Sequence, residues 1–257
     1  MKILTVGDII GENGLKKAQE VVSNLKKEQN IDFIIANGEN VAGGMGITYK
    51  LYKQIIDMGV DVVTLGNHTW AKKDIFSFID NEDRLIRPAN YPKGVPGKGY
   101  TIVEKNNKKI GVINIMGRAE MNVLTENPFV LINKIIGEIK NKADIIIVDF
   151  HAEASAEKIA MGYFLDGKVN ILFGTHTHLQ TADEQILEKG TGYISDIGMT
   201  GPKKSVIGMD VEASIKRFET TLPERYKLAD GECVFNGCIF ELNEDTCRIT
   251  NIKRIKM

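Results

Sequence analysis

Residues 2–14, KILTVGDIIGENG, decide how the rest of the chain is read. Lys2 to Val6 read as a buried strand, Leu15 onward as a helix, and Gly7, Gly11 and Gly14 punctuate the join. Two readings compete for this junction. Its glycines could wrap the backbone round a phosphate at a helix N-terminus, which leaves Asp8 incidental. The other reading makes Asp8 the point of the loop, a carboxylate delivered at the carboxyl end of a strand, where open α/β sheets hold their chemistry. The phosphate fingerprint fails: there is no P-loop lysine and serine, and the spacing G-x-x-x-G-x-x-G is not the dinucleotide one. Asp8 is left as the feature to explain, with Gly7 letting the chain turn sharply around it.

Outward from this stretch, strand-like runs alternate with helical periodicity. After KILTV come Leu15, Ala18, Val22 and Leu25 on one helical face, then DFIIA, then Leu51, Ile55 and Met58, then DVVTL. This is repeated β-α-β with right-handed crossovers. A short helix around Asp74 to Ile79 follows, and GYTIVEKNNKKIGVINIMG reads as a hairpin turning at Asn106-Asn107. The alternation resumes with a helix marked by Leu131, Ile135 and Ile139, the strand DIIIVDF, a helix over Ala154 to Phe164, and the strand VNILF. From Asp183 the pattern is mostly β: a hairpin turning at Lys189-Gly190, the Gly-rich DIGMTGPKKSVIG, a short helix near Val211 to Phe218, and a last hairpin from CVFNGCIFEL into CRITNIKRI. Two βα-rich halves with extra antiparallel strands predict an α/β fold of two stacked mixed β-sheets with helices outside. Neither repeat nor linker breaks the chain, so residues 1–257 are expected to form one domain.

The totals narrow the partner. With 43% hydrophobic and 26% charged residues, the 257-residue chain has ordinary globular composition. A net charge of −1 removes any broad electrostatic case for duplex nucleic acid or an anionic membrane. The longest apolar runs fall far short of the ~20 residues a membrane helix needs, and Met1-Lys2 leads directly into a strand rather than a signal peptide, so a cytoplasmic protein with a small-molecule partner is expected. Cys233, Cys238 and Cys247 form no CxxC pair and have no adjacent histidine, which indicates neither a disulfide framework nor a thiolate metal site.

Each strand of the alternating part ends in a short polar segment: KILTV in GD, DFIIA in NGEN, DVVTL in GNH, DIIIVDF in H and VNILF in GTHTH. These segments place Asp8, Glu39, Asn40, Asn67, His68, His151, His176 and His178 at strand carboxyl ends, and the chain's 4 histidines are all in this set. Singly, most have ordinary explanations: Asp8 as a helix cap or turn residue, Asn40 and Asn67 as turn formers beside Gly38 and Gly66, His151 as a satisfied buried histidine. Glu39 is harder to dismiss, because an unpaired carboxylate after an apolar strand is costly. Together they point to one site. Carboxylate, amide oxygen and neutral imidazole suit iron, manganese, zinc or similar ions, and no thiolate biases the set toward soft metals. One metal would hardly use so many ligands, whereas two sharing a bridging carboxylate ~3.5–4 Å apart would, in the arrangement that serves phosphoryl transfer.

The order GD, GEN, GNH, a single His after a strand, then G-x-H-x-H resembles the calcineurin-like metallophosphoesterases, whose motifs sit on strand ends of a double β-sheet sandwich flanked by helices, an α/β/β/α arrangement. More narrowly, GDIIGENG, NGENVAGG, LGNHTW, RPANYP, DFHAEASAEKIAMGYFLDG, GTHTHLQTAD and SDIGMTGP resemble the bacterial branch of 2′,3′-cyclic-nucleotide 2′-phosphodiesterases. The resemblance runs from Lys2 to about Gly208 and more weakly to the end. It implies that Glu39 bridges two metal ions, that Asp8, Asn40 and His178 complete one site and Asn67, His151 and His176 the other, and that His68 is the general acid. Two departures from the wider superfamily stand out: Ile10 replaces the histidine of the usual D-x-H, and Glu39 with Asn40 replaces the usual bridging Asp. Both agree with the narrower branch, where Asn40 takes the place of the lost nitrogen ligand.

The implied enzyme is a two-metal phosphodiesterase, with iron or manganese as its metals and zinc as a third candidate. A hydroxide held between the metals attacks phosphorus and His68 protonates the leaving oxygen, opening 2′,3′-cyclic nucleotides to 3′-nucleotides. Rival readings are a broader phosphomonoesterase or phosphodiesterase, a metal-dependent amidohydrolase or peptidase, and a metal-binding regulatory protein with little turnover. In amidohydrolases H-x-H generally lies on the first strand, whereas here it lies at positions 176–178. Arg87, Asn90, Arg118 and the backbone of Ile197 to Gly201 are available to a substrate, each with a plain structural alternative. Glu153 either orients a ligand histidine or merely begins a helix. The GMTGP stretch is a mobile rim or a plain turn. A homo-oligomer is expected from base rates and the resemblance alone.

Overall fold

The run Lys2–Val6 becomes strand β1 because Ile3, Leu4, Thr5 and Val6 are apolar or β-branched and are buried on both faces of a sheet. The structure is a computed structural model describing residues 1–257. After β1 come β2 (Asp8–Ile9), helix α1 (Gly11–Gln29), β3 (Phe33–Asn37), α2 (Tyr49–Asp57), β4 (Val62–Thr64), a 3-10 turn (Lys73–Ser77) and β5 (Leu85–Ile86). Strands β6 (Tyr100–Lys105) and β7 (Lys108–Met116) form the expected hairpin. Asn106 and Asn107 turn it at φ of 51° and 59°, the left-handed values that a two-residue hairpin turn demands and asparagine tolerates. Then follow α3 (Pro128–Ile139), β8 (Ile145–His151), α4 (Ser155–Leu165), β9 (Ile171–Thr175), β10 (Gln185–Ile186), β11 (Gly192–Ile194), β12 (Met199–Pro202), α5 (Val211–Thr220), β13 (Cys233–Val234), β14 (Asn236–Leu242) and β15 (Ile249–Lys256).

Two six-stranded mixed sheets, ordered β15-β14-β1-β3-β4-β5 and β10-β11-β9-β8-β7-β6, carry the fold. Between them pack Ile3, Phe33, Ile35 and Val62 from the first sheet and Ile110, Val112, Ile147 and Phe173 from the second. Leu15, Ala18, Val22 and Leu25 of α1, with Leu51 and Ile55 of α2, cover the outer face of the first sheet. Ile132, Ile135 and Ile139 of α3, with Met161 and Leu165 of α4, cover that of the second. The layers are therefore helix, sheet, sheet, helix, as expected. Full burial of each large aliphatic side chain contributes about 1.5–3 kcal/mol, which makes these three apolar layers the main support of the architecture. No helix is long and apolar enough to cross a membrane.

A third sheet, β13-β12-β2, was not legible in the sequence. The GMTGP stretch is neither rim nor turn: Met199–Pro202 is a buried strand that pairs in parallel with the Asp8 segment, Met199 opposite Asp8 and Thr200 opposite Ile9. Gly7 also serves differently from expectation. Its φ is not in the left-handed region, so no sharp turn requires it; a Cβ there would run into the carbonyl of Gly198, and glycine is needed for close approach of the two chains. Helix α1 starts at Gly11, a turn before the apolar periodicity shows, with Gly11 N donating to Asn40 O at 3.0 Å.

Candidate metal centre

The parallel strands β1, β3 and β4 of one sheet and β8 and β9 of the other run their carboxyl ends to a common edge, and the loops beyond them bring together the polar segments read from the sequence. Glu39, on the turn after β3, is 1% exposed. Its Oε2 accepts from the backbone N–H of His68 at 2.9 Å, and its Oε1 lies 3.1 Å from His151 Nε2 without hydrogen-bond geometry. The same His151 Nε2 is 2.9 Å from Asn67 Oδ1 and 3.1 Å from His176 Nδ1. One nitrogen thus faces three atoms bearing lone pairs, and a single proton can serve only one of them. Ligand atoms of Glu39, His151 and His176 all lie within 4.8 Å of one another.

Asp8, Asn40 and His178 border this cluster. Asp8 is fully buried, with Oδ2 accepting from His176 N at 3.2 Å and Oδ1 unpartnered. Asn40 donates through Nδ2 to the Gly44 carbonyl at 2.9 Å, which fixes the amide and leaves its buried Oδ1 without a partner. His178 Nδ1 lies 2.8 Å from the Ile207 carbonyl, so Nδ1 carries the proton and Nε2 keeps the lone pair. Ile10, where the wider superfamily has histidine, is 1% exposed and packs where Gly201 and Gly208 leave room for it.

Asp8 Oδ1, Glu39 Oε1 and Asn40 Oδ1 are all buried and unpartnered, and an orphaned buried acceptor costs about 1–3 kcal/mol. Such a concentration of orphaned acceptors beside imidazole lone pairs fits divalent cations. The donor set is carboxylate, amide oxygen and imidazole without thiolate, as hard-to-borderline ions prefer.

Charge coupling reinforces this. Burial drives the Glu39 carboxyl upward, but the adjacent His151, through its charge first, and then His68 outweigh it, holding Glu39 at about 2. Burial likewise disfavours charged His151, and Glu39, Asp8 and Asp149 overcome it, raising His151 to about 9. Burial and then the His151 charge press His176 down to about 3, so its imidazole is neutral. Burial raises Asp8 and lowers His68, the latter offset in part by Glu39.

Several residues that shape the centre escaped sequence reading. Lys158 on α4 is 2% exposed and donates to Asp196 Oδ2 at 2.6 Å and to the Thr175 carbonyl at 2.8 Å. Asp196 accepts in turn from Thr177 N, Thr177 Oγ1 and Gly198 N. This brace holds the turn on which His176 and His178 adopt φ of 98° and 65°, values rarely stable for a non-glycine residue. Asp196 follows β11 as the other polar residues follow their strands, a signal that was present; nothing local marks Lys158 as buried. Glu153, half-exposed, has its Oε2 3.1 Å from His176 Nε2. Arg87 and Asn90 are not free for a substrate: Arg87 donates to the carbonyls of Pro88, Val95, Pro96 and Gly97, and Asn90 to those of Met116 and Glu126.

Known proteins match this architecture along its length. The description "YmdB-like protein" matches residues 4–255. A 2′,3′-cyclic-nucleotide 2′-phosphodiesterase of Bacillus subtilis (strain 168) is 46% identical over 255 residues, spanning 99% of this chain and 96% of the relative. The crystal structure of a novel phosphatase from Mycoplasma pneumoniae superposes with a TM-score of 0.95 at 35% identity, covering 100% of this chain and 93% of the other. That of a protein from Thermus thermophilus does so with a TM-score of 0.94 at 36% identity, covering 100% and 99%.

Proposed function

This chain belongs to the YmdB-like protein family, and from that premise we propose that it is a metal-dependent phosphodiesterase that opens 2′,3′-cyclic nucleotides to 3′-nucleotides. The observation that carries the reading is the convergence of Glu39 Oε1, Asn67 Oδ1 and His176 Nδ1 on His151 Nε2, beside the unpartnered oxygens of Asp8 and Asn40. The identity of 46% with the Bacillus subtilis enzyme supports the substrate class.

Glu39 would be shared by two ions, with Asp8, Asn40 and His178 holding one and Asn67, His151 and His176 the other; iron and manganese suit the set, and zinc is a third candidate. When bound, the ions supply a water nucleophile ionised near neutral pH and offset charge on the phosphoryl oxygens. The chain's own residues do the rest. Glu39 fixes the start of the Asn67-His68 segment by accepting the His68 backbone N–H at 2.9 Å. His68, partly exposed, donates a proton to the departing O2′. The neutral His176 needs no deprotonation before it offers its lone pair.

The test is to purify the protein, measure bound metal per chain, and assay 2′,3′-cyclic and 3′,5′-cyclic nucleotides beside bis-p-nitrophenyl phosphate. Two ions per chain and preferential opening of the 2′,3′-cyclic substrate are expected, with Glu39→Gln losing both metal and turnover. His68→Ala should keep the metal and lose turnover by about 10²–10⁴-fold. Unchanged activity in Glu39→Gln, or metal binding without cleavage of any phosphoester, would overturn the assignment; the second outcome would favour a regulatory metal protein.

A further inference from the structure

Thr64, Asp149 and Thr175 are fully buried beside the candidate centre, and the assignment above uses none of them. Thr64 Oγ1, on β4, donates to Asp149 Oδ2 at 2.5 Å and so links the two sheets. Thr175 Oγ1, on β9, donates to Asp149 Oδ1 at 2.7 Å. Each threonine hydroxyl donates to one oxygen of the Asp149 carboxyl group, so both hydroxyl protons point at Asp149. Thr175 Oγ1 then has only lone pairs to offer His151 Nδ1, 2.9 Å away. When His151 gives a lone pair to a metal ion, the proton it keeps therefore sits on Nδ1 and the lone pair on Nε2, the atom that Glu39, Asn67 and His176 surround.

We propose that Asp149, acting through Thr175, is a positioning residue that fixes His151 in the form that presents Nε2 to a metal ion. The strand geometry explains why a hydroxyl stands between carboxylate and ring. Asp149 and His151 are two residues apart on β8, on one face but about 6.6 Å distant along the strand. Thr175 is the register partner of His151 on β9, and its side chain spans the gap. The usual arrangement, a carboxylate bound directly to the outer nitrogen of a ligand histidine, is here extended by one hydroxyl.

The inference rests on the metal reading but not on turnover. Zinc serves as a diamagnetic probe, added to metal-stripped protein carrying 15N-labelled histidine. The unmutated chain should show His151 bound through Nε2, with an Nδ1 proton protected from solvent exchange. Thr175→Val keeps the shape and removes the hydroxyl; it should lose that protected proton and bind zinc about 10–100-fold more weakly by calorimetry. Thr175→Ser keeps the hydroxyl and removes the methyl; it should restore both. A His151 without an Nδ1 proton in the unmutated chain, or wild-type zinc affinity in Thr175→Val, would overturn the proposal. The spectrum of the unmutated chain decides the matter by itself if the valine variant does not fold. Failure to open any cyclic nucleotide would count against the enzyme and leave both of these readouts standing.

Discussion

His176 Nε2 lies 3.1 Å from the Glu153 carboxylate, while His176 Nδ1 lies 3.1 Å from His151 Nε2 on the other side of the ring. An acceptor on the outer nitrogen fixes both ring orientation and tautomer. Glu153→Ala is expected to weaken metal binding by about 10-fold, while Glu153→Gln, which keeps an acceptor oxygen, should lose less. Calorimetric titration of stripped protein with manganese checks this; equal affinity in all three proteins would mean that Glu153 only begins a helix.

Lys158 and Asp196 are 2% and 1% exposed at their side chains, a buried ion pair whose members also hold the Thr175 carbonyl and the Thr177 amide. Removing one member leaves the other charged and uncompensated. Lys158→Met is expected to cost about 3–5 kcal/mol in urea unfolding, with much of the loss recovered when Asp196→Leu is added. Weakened metal binding should accompany the single variant, because the brace sets the backbone carrying His176 and His178.

The His151–Glu39 pair gives a pH dependence of definite sign. His151 is raised from 6.5 to about 9 in the folded chain, so its contribution is fully present below pH 6.5 and is lost as pH rises through about 9. Across that window the folded state holds a proton that the unfolded state has released. In chelator-treated protein the unfolding free energy should therefore fall between pH 7 and 9, by up to about 1.4 kcal/mol per pH unit. Glu39→Gln should flatten the slope. Bound metal should reverse it, since the ligand histidines must be deprotonated to bind.

Gly66 precedes Asn67, and a Cβ there would meet the His151 ring at its Nε2 edge. Gly66→Ala must displace either the ring or the Asn67 loop. A loss of about 1–3 kcal/mol is expected, together with loss of metal binding. Metal content measured on folded Gly66→Ala protein distinguishes this local effect from global unfolding.

Much of this fold was legible along the chain because its signals are local. Strands buried on both faces read as continuous apolar runs, α1 and α2 show helical periodicity, and Asn106-Asn107 marks a hairpin by turn chemistry alone. The polar residues at strand ends could be gathered into one candidate site without coordinates, since parallel strands of a sheet necessarily present those ends together. The small sheet was hidden for the opposite reason. A two-residue strand has no period, and the partner of Asp8 is Met199, far along the chain.

By itself the sequence determined the alternation of the main strands and helices, the stacked-sheet class and the polar residues that follow the strands, because these follow from side-chain type and spacing. Only the tertiary structure decided that Met199–Pro202 is a strand, that Arg87 is consumed by carbonyls and that Lys158 is buried against Asp196. It also decided which nitrogens of His151 and His178 face the centre, through Thr175 and the Ile207 carbonyl. A ring nitrogen takes or releases its proton according to the acceptor packed against it, and those acceptors arrive from separate elements that meet only when the chain has folded.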